Sequence, residues 1–202
     1  MIAVSDLRDK FQTIPPEVKI FLLKALLLFV LWKSVYLFYL FPTRLLDRPL
    51  TKIVGAHSAC LLNIVNPTSQ PYTFQSQIAI TQFEGEFQAS PVNRIIRDDK
   101  SLVAIGDPCN GLELIALYLG FLIAISASLK RKFIFALLGS VVIYMVNVVR
   151  CTALSLMNVY SKTHFDLAHH YIFKIAVYAV IFFLWVYFMK GVSMKKASAH
   201  VV

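Results

Sequence analysis

Apolar segments long enough to cross a lipid bilayer constrain this chain more than any other feature. A membrane helix needs about 17–25 residues at 1.5 Å rise per residue, and 58% of the 202 residues are hydrophobic. The sequence therefore predicts an all-α polytopic membrane protein, with one membrane domain over residues 1–202. Four segments approach or exceed the required length, which gives about four transmembrane helices: 18–41, 112–129, 133–157 and 171–189.

Short basic clusters orient these predicted spans. Residues 130–132 read Lys-Arg-Lys between the second and third spans, and three lysines follow the fourth, whereas residues 158–170 contain a single lysine. The positive-inside rule therefore places both termini and the turn at 130–132 in the cytoplasm. Residues 42–110 must then form an extracytoplasmic insertion between the first and second spans.

The formal net charge of +9 is explained by the membrane. The basic residues lie beside the apolar segments, where positive-inside orientation and anionic lipid headgroups account for them. No nucleic-acid-binding motif accompanies the charge. We therefore expect membrane lipid as a partner and no nucleic acid.

The residue pattern of the insertion predicts a small α/β unit. Residues 45–65 carry apolar side chains at roughly helical spacing, which predicts a helix lying on the outer face of the membrane. Residues 72–81 alternate with the period of a half-buried strand. Residues 93–97 and 101–105 flank an Asp-Asp-Lys turn, which predicts a short hairpin.

Arg150 is the only Lys, Arg, Asp or Glu in the third predicted span. A guanidinium at the centre of a membrane helix costs about 2.5–3.5 kcal/mol on insertion scales, so it requires an anionic partner or a polar cavity. In the predicted topology Arg150 lies roughly 10 Å below the outer boundary. Cys109 lies at the outer end of the second span, and His169 and His170 lie at the outer start of the fourth. Side chains from three spans therefore reach one leaflet.

These residue types fit acyl transfer. A cysteine attacks carbonyl carbon as its thiolate, which a nearby cation, imidazole or helix N-terminus favours. Cys109 is the candidate nucleophile, and His169 or His170 would relay the proton. Arg150 would stabilise the developing oxyanion, an effect that is largest in a pocket from which water is excluded.

Structural interpretations of the same residues remain open. Cys109 can be a small packing residue, and Arg150 can pair with Glu113 or Asp107 to hold two spans together. The histidines can cap the membrane interface or, with His164, bind a metal, although their spacing is unlike that of zinc sites. We therefore expect no metal and no cofactor.

Asn147 lies one turn before Arg150 and predicts an interhelical hydrogen bond, or an orienting contact to the guanidinium. The three cysteines are an odd number without a CxxC motif. Cys109 is expected to be a free thiol that is not bonded to Cys60, and Cys151 is expected to be a packing residue.

Three motifs resemble those of the exosortase/archaeosortase family. Residues 107–112 read Asp-Pro-Cys-Asn-Gly-Leu, like the cysteine motif that opens a membrane helix in that family. Residues 147–150 read Asn-Val-Val-Arg, like its Asn-x-x-Arg, and residues 169–173 read His-His-Tyr-Ile-Phe, like its final histidine motif. The resemblance covers residues 107–185 in the order of the family.

The resemblance implies a membrane-embedded cysteine protease-transpeptidase of the prokaryotic cytoplasmic (inner) membrane, with its active site on the extracytoplasmic side. Its partners would be exported proteins whose C-terminal tail has a short motif, an apolar helix and a basic end. Cys109 becomes the nucleophile, Arg150 the transition-state stabiliser and His169 the acid/base.

The chain departs from the family in two respects. It has about four spans, fewer than the larger members, and it has His170 where many members have another residue, so the choice between the two histidines stays open. The alternative function is a non-catalytic membrane assembly or secretion partner in which Arg150 is structural. The two functions differ in whether Cys109 and Arg150 approach each other.

Overall fold

The described structure, a computed structural model, comprises residues 15–83, 86–160 and 165–199. It is mostly helical with one small sheet. Helix α1 (Pro16–Val35) continues through a π-helical turn (Tyr36–Leu40) and a short helical turn (Phe41–Thr43). The next elements are α2 (Asp47–Val65), β1 (Thr73–Phe83), β2 (Glu86–Arg97), β3 (Lys100–Ile105), α3 (Leu112–Ala124) and α4 (Leu129–Tyr160). A helical turn (Phe165–Leu167) and a π-helical turn (Ala168–Ile172) then lead into the last helix, α5 (Phe173–Ala199).

Within these described residues, three helices are long and apolar enough to cross a membrane: Val18–Thr43, Leu129–Tyr160 and Phe165–Val192. They coincide with the first, third and fourth predicted spans. The chain is therefore an integral membrane protein with three candidate spans.

The second predicted span, residues 112–129, contains only the 13-residue α3. At 1.5 Å per residue α3 is about 20 Å long, shorter than the hydrocarbon core of about 30 Å, so the count of four spans is not confirmed. The helix ends at Ala124, where the backbone of Ile125 becomes extended, and Lys132 donates to the Ile123 carbonyl oxygen at 3.0 Å, satisfying one of the carbonyls that a helix end leaves free. Hydropathy did not separate this end from the predicted span, because residues 125–129 read Ile-Ser-Ala-Ser-Leu and remain largely apolar.

Helix α2 packs along the second half of α4. Small polar side chains lie at this contact, where Ser58 donates to the Val148 carbonyl oxygen at 3.4 Å and Thr152 donates to the Ser58 carbonyl oxygen at 3.5 Å. Small residues let two helix backbones approach closely. The helix predicted over residues 45–65 is thus present. The residues that it buries recur at helical spacing: Asp47, Thr51, Val54, Gly55, Ser58, Ala59 and Leu62.

The sheet is antiparallel with strand order β1-β2-β3. Asp98 and Asp99 join β2 to β3, and both have left-handed backbone angles, with φ of 53° and 58°. Two consecutive residues of this kind form the tight turn that matches the twist of a hairpin. The predicted hairpin is therefore present, and β3 is an edge strand.

Two buried clusters meet along α4, which contributes to both. Its 32 residues extend about 48 Å at 1.5 Å per residue, further than the hydrocarbon core of a bilayer. One cluster joins α2, the sheet and the second half of α4: Val54, Leu62, Tyr72, Ile95, Ile105, Val148 and Cys151. The other joins α3, α4 and α5: Tyr118, Leu122, Ile143, Val177, Ile181 and Phe188.

Close packing of α3 on α4 predicts a steric requirement at Gly139. A Cβ there would overlap the Tyr118 ring, whose hydroxyl is held by a 2.8 Å hydrogen bond to the Phe135 carbonyl oxygen. Overpacking costs about 1–3 kcal/mol, against a helix-propensity gain of about 0.8–1.0 kcal/mol. We expect Gly139→Ala to lower the Tm in detergent. Gly120→Ala is the matched control, since its Cβ meets nothing within 4 Å, and should not lower the Tm; equal behaviour of the two variants would contradict this packing.

Candidate active site

The turn that carries Cys109, residues 107–111 between β3 and α3, is held by the start of α2 and the residues before it. Asp107 Oδ2 accepts from Arg44 Nε at 2.9 Å and from its Nη2 at 2.5 Å. Asp107 Oδ1 accepts from the Thr51 hydroxyl at 2.9 Å. Both carboxylate oxygens are thus engaged, which fixes the turn against α2.

Asn110 ties the same turn to the first turn of α2. Its side-chain Nδ2 donates to Asp47 Oδ1 at 2.7 Å, and its Oδ1 accepts from the backbone N–H of Leu112 at 2.8 Å. The second bond satisfies one of the free N–H groups at the start of α3. Asn110 is only 2% exposed and Asp47 only 1%, so these bonds form away from solvent.

Helix α4 holds the turn from the opposite side. Asn147 Nδ2 donates to the Cys109 carbonyl oxygen at 2.7 Å, and Cys151 Sγ lies 3.8 Å from the same oxygen. The expected interhelical role of Asn147 is therefore observed as a bond from α4 to the cysteine turn. Gly111 completes the turn with φ of 84°, a conformation that glycine adopts without strain.

A cavity of about 300 Å³ opens beside this turn. Cys109 lies in its wall, together with residues from β3, from α4 and from the segment before α5. Cys151, which was expected to be a packing residue, belongs to the buried core and also lines this cavity. The residues that line it are Leu102, Val103, Ala104, Ile105, Cys109, Cys151, Leu154, Asn158, Phe165 and His169.

The two histidines occupy different environments. His169 is half-buried, lines the cavity and stacks on Phe165 with the ring centroids 5.7 Å apart. His170 is exposed, and its ring packs edge-to-face with that of His169, with the ring centroids 4.8 Å apart. His164 lies outside the described residues. Among the residues that the structure does describe, no group of three or more His, Cys, Asp or Glu is arranged to hold a metal ion.

Arg150 is 8% exposed, and its Nε is buried without a hydrogen-bond partner in the described part of the chain. Neither acid considered as its structural partner is available. Glu113 pairs with Lys33 at 2.7 Å, and Asp107 pairs with Arg44. Within residues 15–83, 86–160 and 165–199, Arg150 thus has no counter-ion.

The surroundings of Arg150 connect it to the cavity. It lies close enough to His169 and Cys151, both of which line the cavity, to interact with them electrostatically. Asn147, one helical turn earlier, has a buried side-chain oxygen without a hydrogen-bond partner among the described residues. A buried cation without an anion among the described residues therefore lies beside the Cys151 thiol and the His169 imidazole, which line the cavity together with Cys109, whereas Arg150 itself is not part of the lining.

Sequence reasoning missed the residues that fix the turn, namely Arg44, Asp47 and Thr51. A signal was present, because Asp47 and Thr51 are polar residues four positions apart on the buried face of α2. Polar residues on the buried face of a helix need hydrogen-bond partners. What the sequence did not indicate is that those partners lie in the cysteine turn.

Comparison with known proteins identifies one family. A family model described as Transmembrane exosortase (Exosortase_EpsH) matches residues 18–187, which include α1, the sheet, the cysteine turn and most of α5. The match confirms the family that the three sequence motifs resemble. No curated protein and no solved structure matches the chain.

The backbone of Gly111 yields a prediction about the cysteine turn. A side chain at its positive φ costs about 1–2 kcal/mol, and the added Cβ would lie 3.4 Å from the Asn147 side chain that holds the turn. We expect Gly111→Ala to lower the Tm and to change the alkylation rate of Cys109, measured in a Cys60→Ala background.

Gly106→Ala is the control at the other end of the same turn. Gly106 has φ of −88°, and its Cβ would make only ordinary contact at 3.5 Å with the Pro108 side chain. Its Tm and Cys109 alkylation rate should stay close to those of the unmodified protein. A Gly111→Ala variant that matches this control would show that the left-handed turn is not required.

Proposed function

The chain belongs to the transmembrane exosortase family, and from this membership and the geometry of the cavity we propose that it processes C-terminal sorting tails of exported proteins by thiol acyl transfer. The observation that carries the proposal is the buried Arg150 without a counter-ion among the described residues, beside the cavity that Cys109 and His169 line. An unpaired guanidinium in apolar surroundings is costly. The anion that it lacks is the oxyanion formed during the reaction.

The proposed reaction begins with the Cys109 thiol. His169 takes the thiol proton, and Sγ attacks the carbonyl carbon of the scissile amide, so that a C–S bond forms and the electron pair of the carbonyl moves to oxygen. Arg150 stabilises this oxyanion. His169 then gives the proton to the amide nitrogen as the C–N bond breaks, which releases the C-terminal fragment and leaves a thioester on Cys109.

An acceptor completes the cycle. An amine that attacks the thioester gives a transpeptidation product, whereas water gives a hydrolysis product, and either one returns Cys109 to the thiol. Asn147 is proposed as the orienting residue for Arg150, because the two residues lie one helical turn apart on α4; their side chains are not hydrogen-bonded to each other in this structure. His170 is the second candidate for the acid/base, since its ring touches that of His169.

We further propose a location in the prokaryotic cytoplasmic membrane with the cavity on the extracytoplasmic side. Lys132 contacts the last turn of α3, and Arg131 donates to the Phe188 carbonyl oxygen late in α5. Cys109 and His169 instead precede these two helices. The basic cluster and the cavity thus lie at opposite ends of the helices, which supports residues 42–110 as the extracytoplasmic insertion. Cytoplasmic termini belong to the same proposal, although residues 1–14 and 200–202 lie outside the described residues. This topology requires α3 to carry the chain across the membrane as a short fourth crossing, because the three longer helices alone would place the termini on opposite sides.

The proposal predicts distinct losses for the thiol and the guanidinium. Cys109→Ala and Arg150→Ala should abolish processing of a tail substrate in membranes while both variants still insert. Arg150→Lys keeps the charge but loses the planar fork, and removal of an oxyanion donor typically costs about 10²–10³ in kcat. Cys60→Ala, at an exposed position, is the control and should retain activity. A labelled substrate should be trapped as a thioester on Cys109.

Opposite results separate the alternatives. Processing by Cys109→Ala would remove the thiol from the reaction and favour the non-catalytic assembly role. Full activity in Arg150→Lys would reduce the guanidinium to a point charge. His169→Ala should lose activity and His170→Ala should retain most of it; the reverse would assign the proton transfer to His170.

A second prediction concerns the form in which the substrate arrives. Because Arg150 lies within the candidate span Leu129–Tyr160, ten residues before its last residue, we expect the tail to be presented from the bilayer, anchored by its apolar helix and its basic cytoplasmic end. Removing the apolar helix while keeping the short motif should greatly reduce kcat/KM in proteoliposomes. Undiminished cleavage of that soluble peptide would show that the site is reached from water.

A further inference from the structure

Strand β3 presents a free edge to the cavity. Among the described strands it pairs with β2 alone, because it is the last strand of the sheet. Residues 102–105 line the cavity together with Cys109. An unpaired strand edge is a ready template for another strand, and proteins usually cover or blunt it. Here the edge opens beside the proposed nucleophile.

The direction of the backbone groups follows from β2, because β3 has a bulge at Leu102, between the pairs Ser101–Ile96 and Val103–Ile95. Arg97 and Lys100 flank the two-residue turn, and such a pair exchanges hydrogen bonds. Alternate residues of a strand direct their N–H and C=O groups to the same side, so Arg94, three residues before Arg97, faces β1. Ala104 pairs with Arg94, which leaves the N–H and C=O of Ala104 directed away from β2.

Ala104 therefore directs its N–H and C=O toward the cavity. Ala104 is exposed, and its small side chain leaves the edge accessible. The open stretch is short. Asn158 occupies the edge at Leu102, and beyond Ala104 the Gly106 carbonyl oxygen is taken by the Cys109 N–H at 2.9 Å. The free stretch thus ends at the turn that carries the thiol.

The free backbone groups of β3 select an extended occupant. An extended segment has N–H and C=O groups that can pair with this edge, whereas those of a helix are bonded within the helix itself. An apolar substrate helix must therefore end before the residues that pair with β3.

We propose that the substrate segment next to the scissile bond binds as an added strand on the β3 edge, with one of its residues exchanging hydrogen bonds with the N–H and C=O of Ala104. This inference rests on the proposed function and deepens it. Strand addition supplies affinity through the main chain, and it fixes the plane of the neighbouring peptide bond relative to Cys109 Sγ. The substrate class is thus a peptide that is extended at the cleavage site and helical only after it.

The test is a backbone scan that does not depend on catalysis. The probes are synthetic tail peptides, each with a short motif, an apolar helix and a basic end. Each peptide carries one backbone N-methyl group, placed at a different residue around the motif. Affinity is measured with the full-length Cys109→Ala variant in nanodiscs, which cannot cleave. N-methylation of the residue that faces Ala104 should weaken binding about tenfold or more, because a desolvated acceptor or donor loses its partner.

The two neighbouring positions should change affinity by less than about threefold, since their N–H groups point away from the edge. A loss of affinity that recurs at every second residue would support strand addition. Uniform tolerance, a uniform loss, or no binding of the unmodified peptide would overturn it. Failure of the unmodified protein to cleave a peptide that shows the period of two would instead contradict the proposed function and leave strand addition standing.

A protein variant provides a second measurement. Ala104→Pro removes the N–H from the free edge and should weaken binding of the unmethylated peptide about tenfold or more. Ala104→Gly keeps that N–H and adds no side-chain volume to the cavity that residue 104 lines, and it should bind within about threefold of the parent. Equal affinity of the proline variant and the parent would overturn the inference. The N-methyl scan decides the question if the proline variant does not fold.

Discussion

The hydrogen bonds around residues 107–111 are the constraint on which the arrangement of the site depends. Asp107 and Asn110 bind the start of α2 and the segment before it, whereas Asn147 of α4 binds the carbonyl of Cys109. Several of these groups are buried, where an unmade hydrogen bond costs more than a made one contributes. The turn therefore holds the thiol, the edge of the sheet and α4 in one relative position.

Arg150 contrasts with this turn. The groups of Asp107 and Asn110 that bind the turn have partners, although Asp47 Oδ2 and Asn147 Oδ1 are buried without one among the described residues. The guanidinium beside the cavity has no counter-ion in the described structure. Buried polar groups without partners are expected at functional sites. In the proposed reaction the partner of Arg150 forms only transiently, as an oxyanion. The free edge of β3 beside the same cavity suits an extended peptide whose helix remains in the lipid.

Much of the fold could be predicted because it depends on local patterns. Apolar length located three candidate spans, and the period of two, with its Asp-Asp turn, located the hairpin. The end of α3 at Ala124 could not be predicted in the same way. This end coincides with a contact from Lys132 in the next helix, and hydropathy has the same value whether the backbone of an apolar segment is helical or extended.

The sequence by itself determined the membrane class, the family motifs and the short set of reactive residues, since these depend on composition and spacing. Only the tertiary structure decided that His169, and not His170, lines the cavity with Cys109. It also decided that Glu113 is taken by another cation and is not the partner of Arg150. Such pairings join residues far apart in the chain, so they follow from how the helices pack and not from any local pattern.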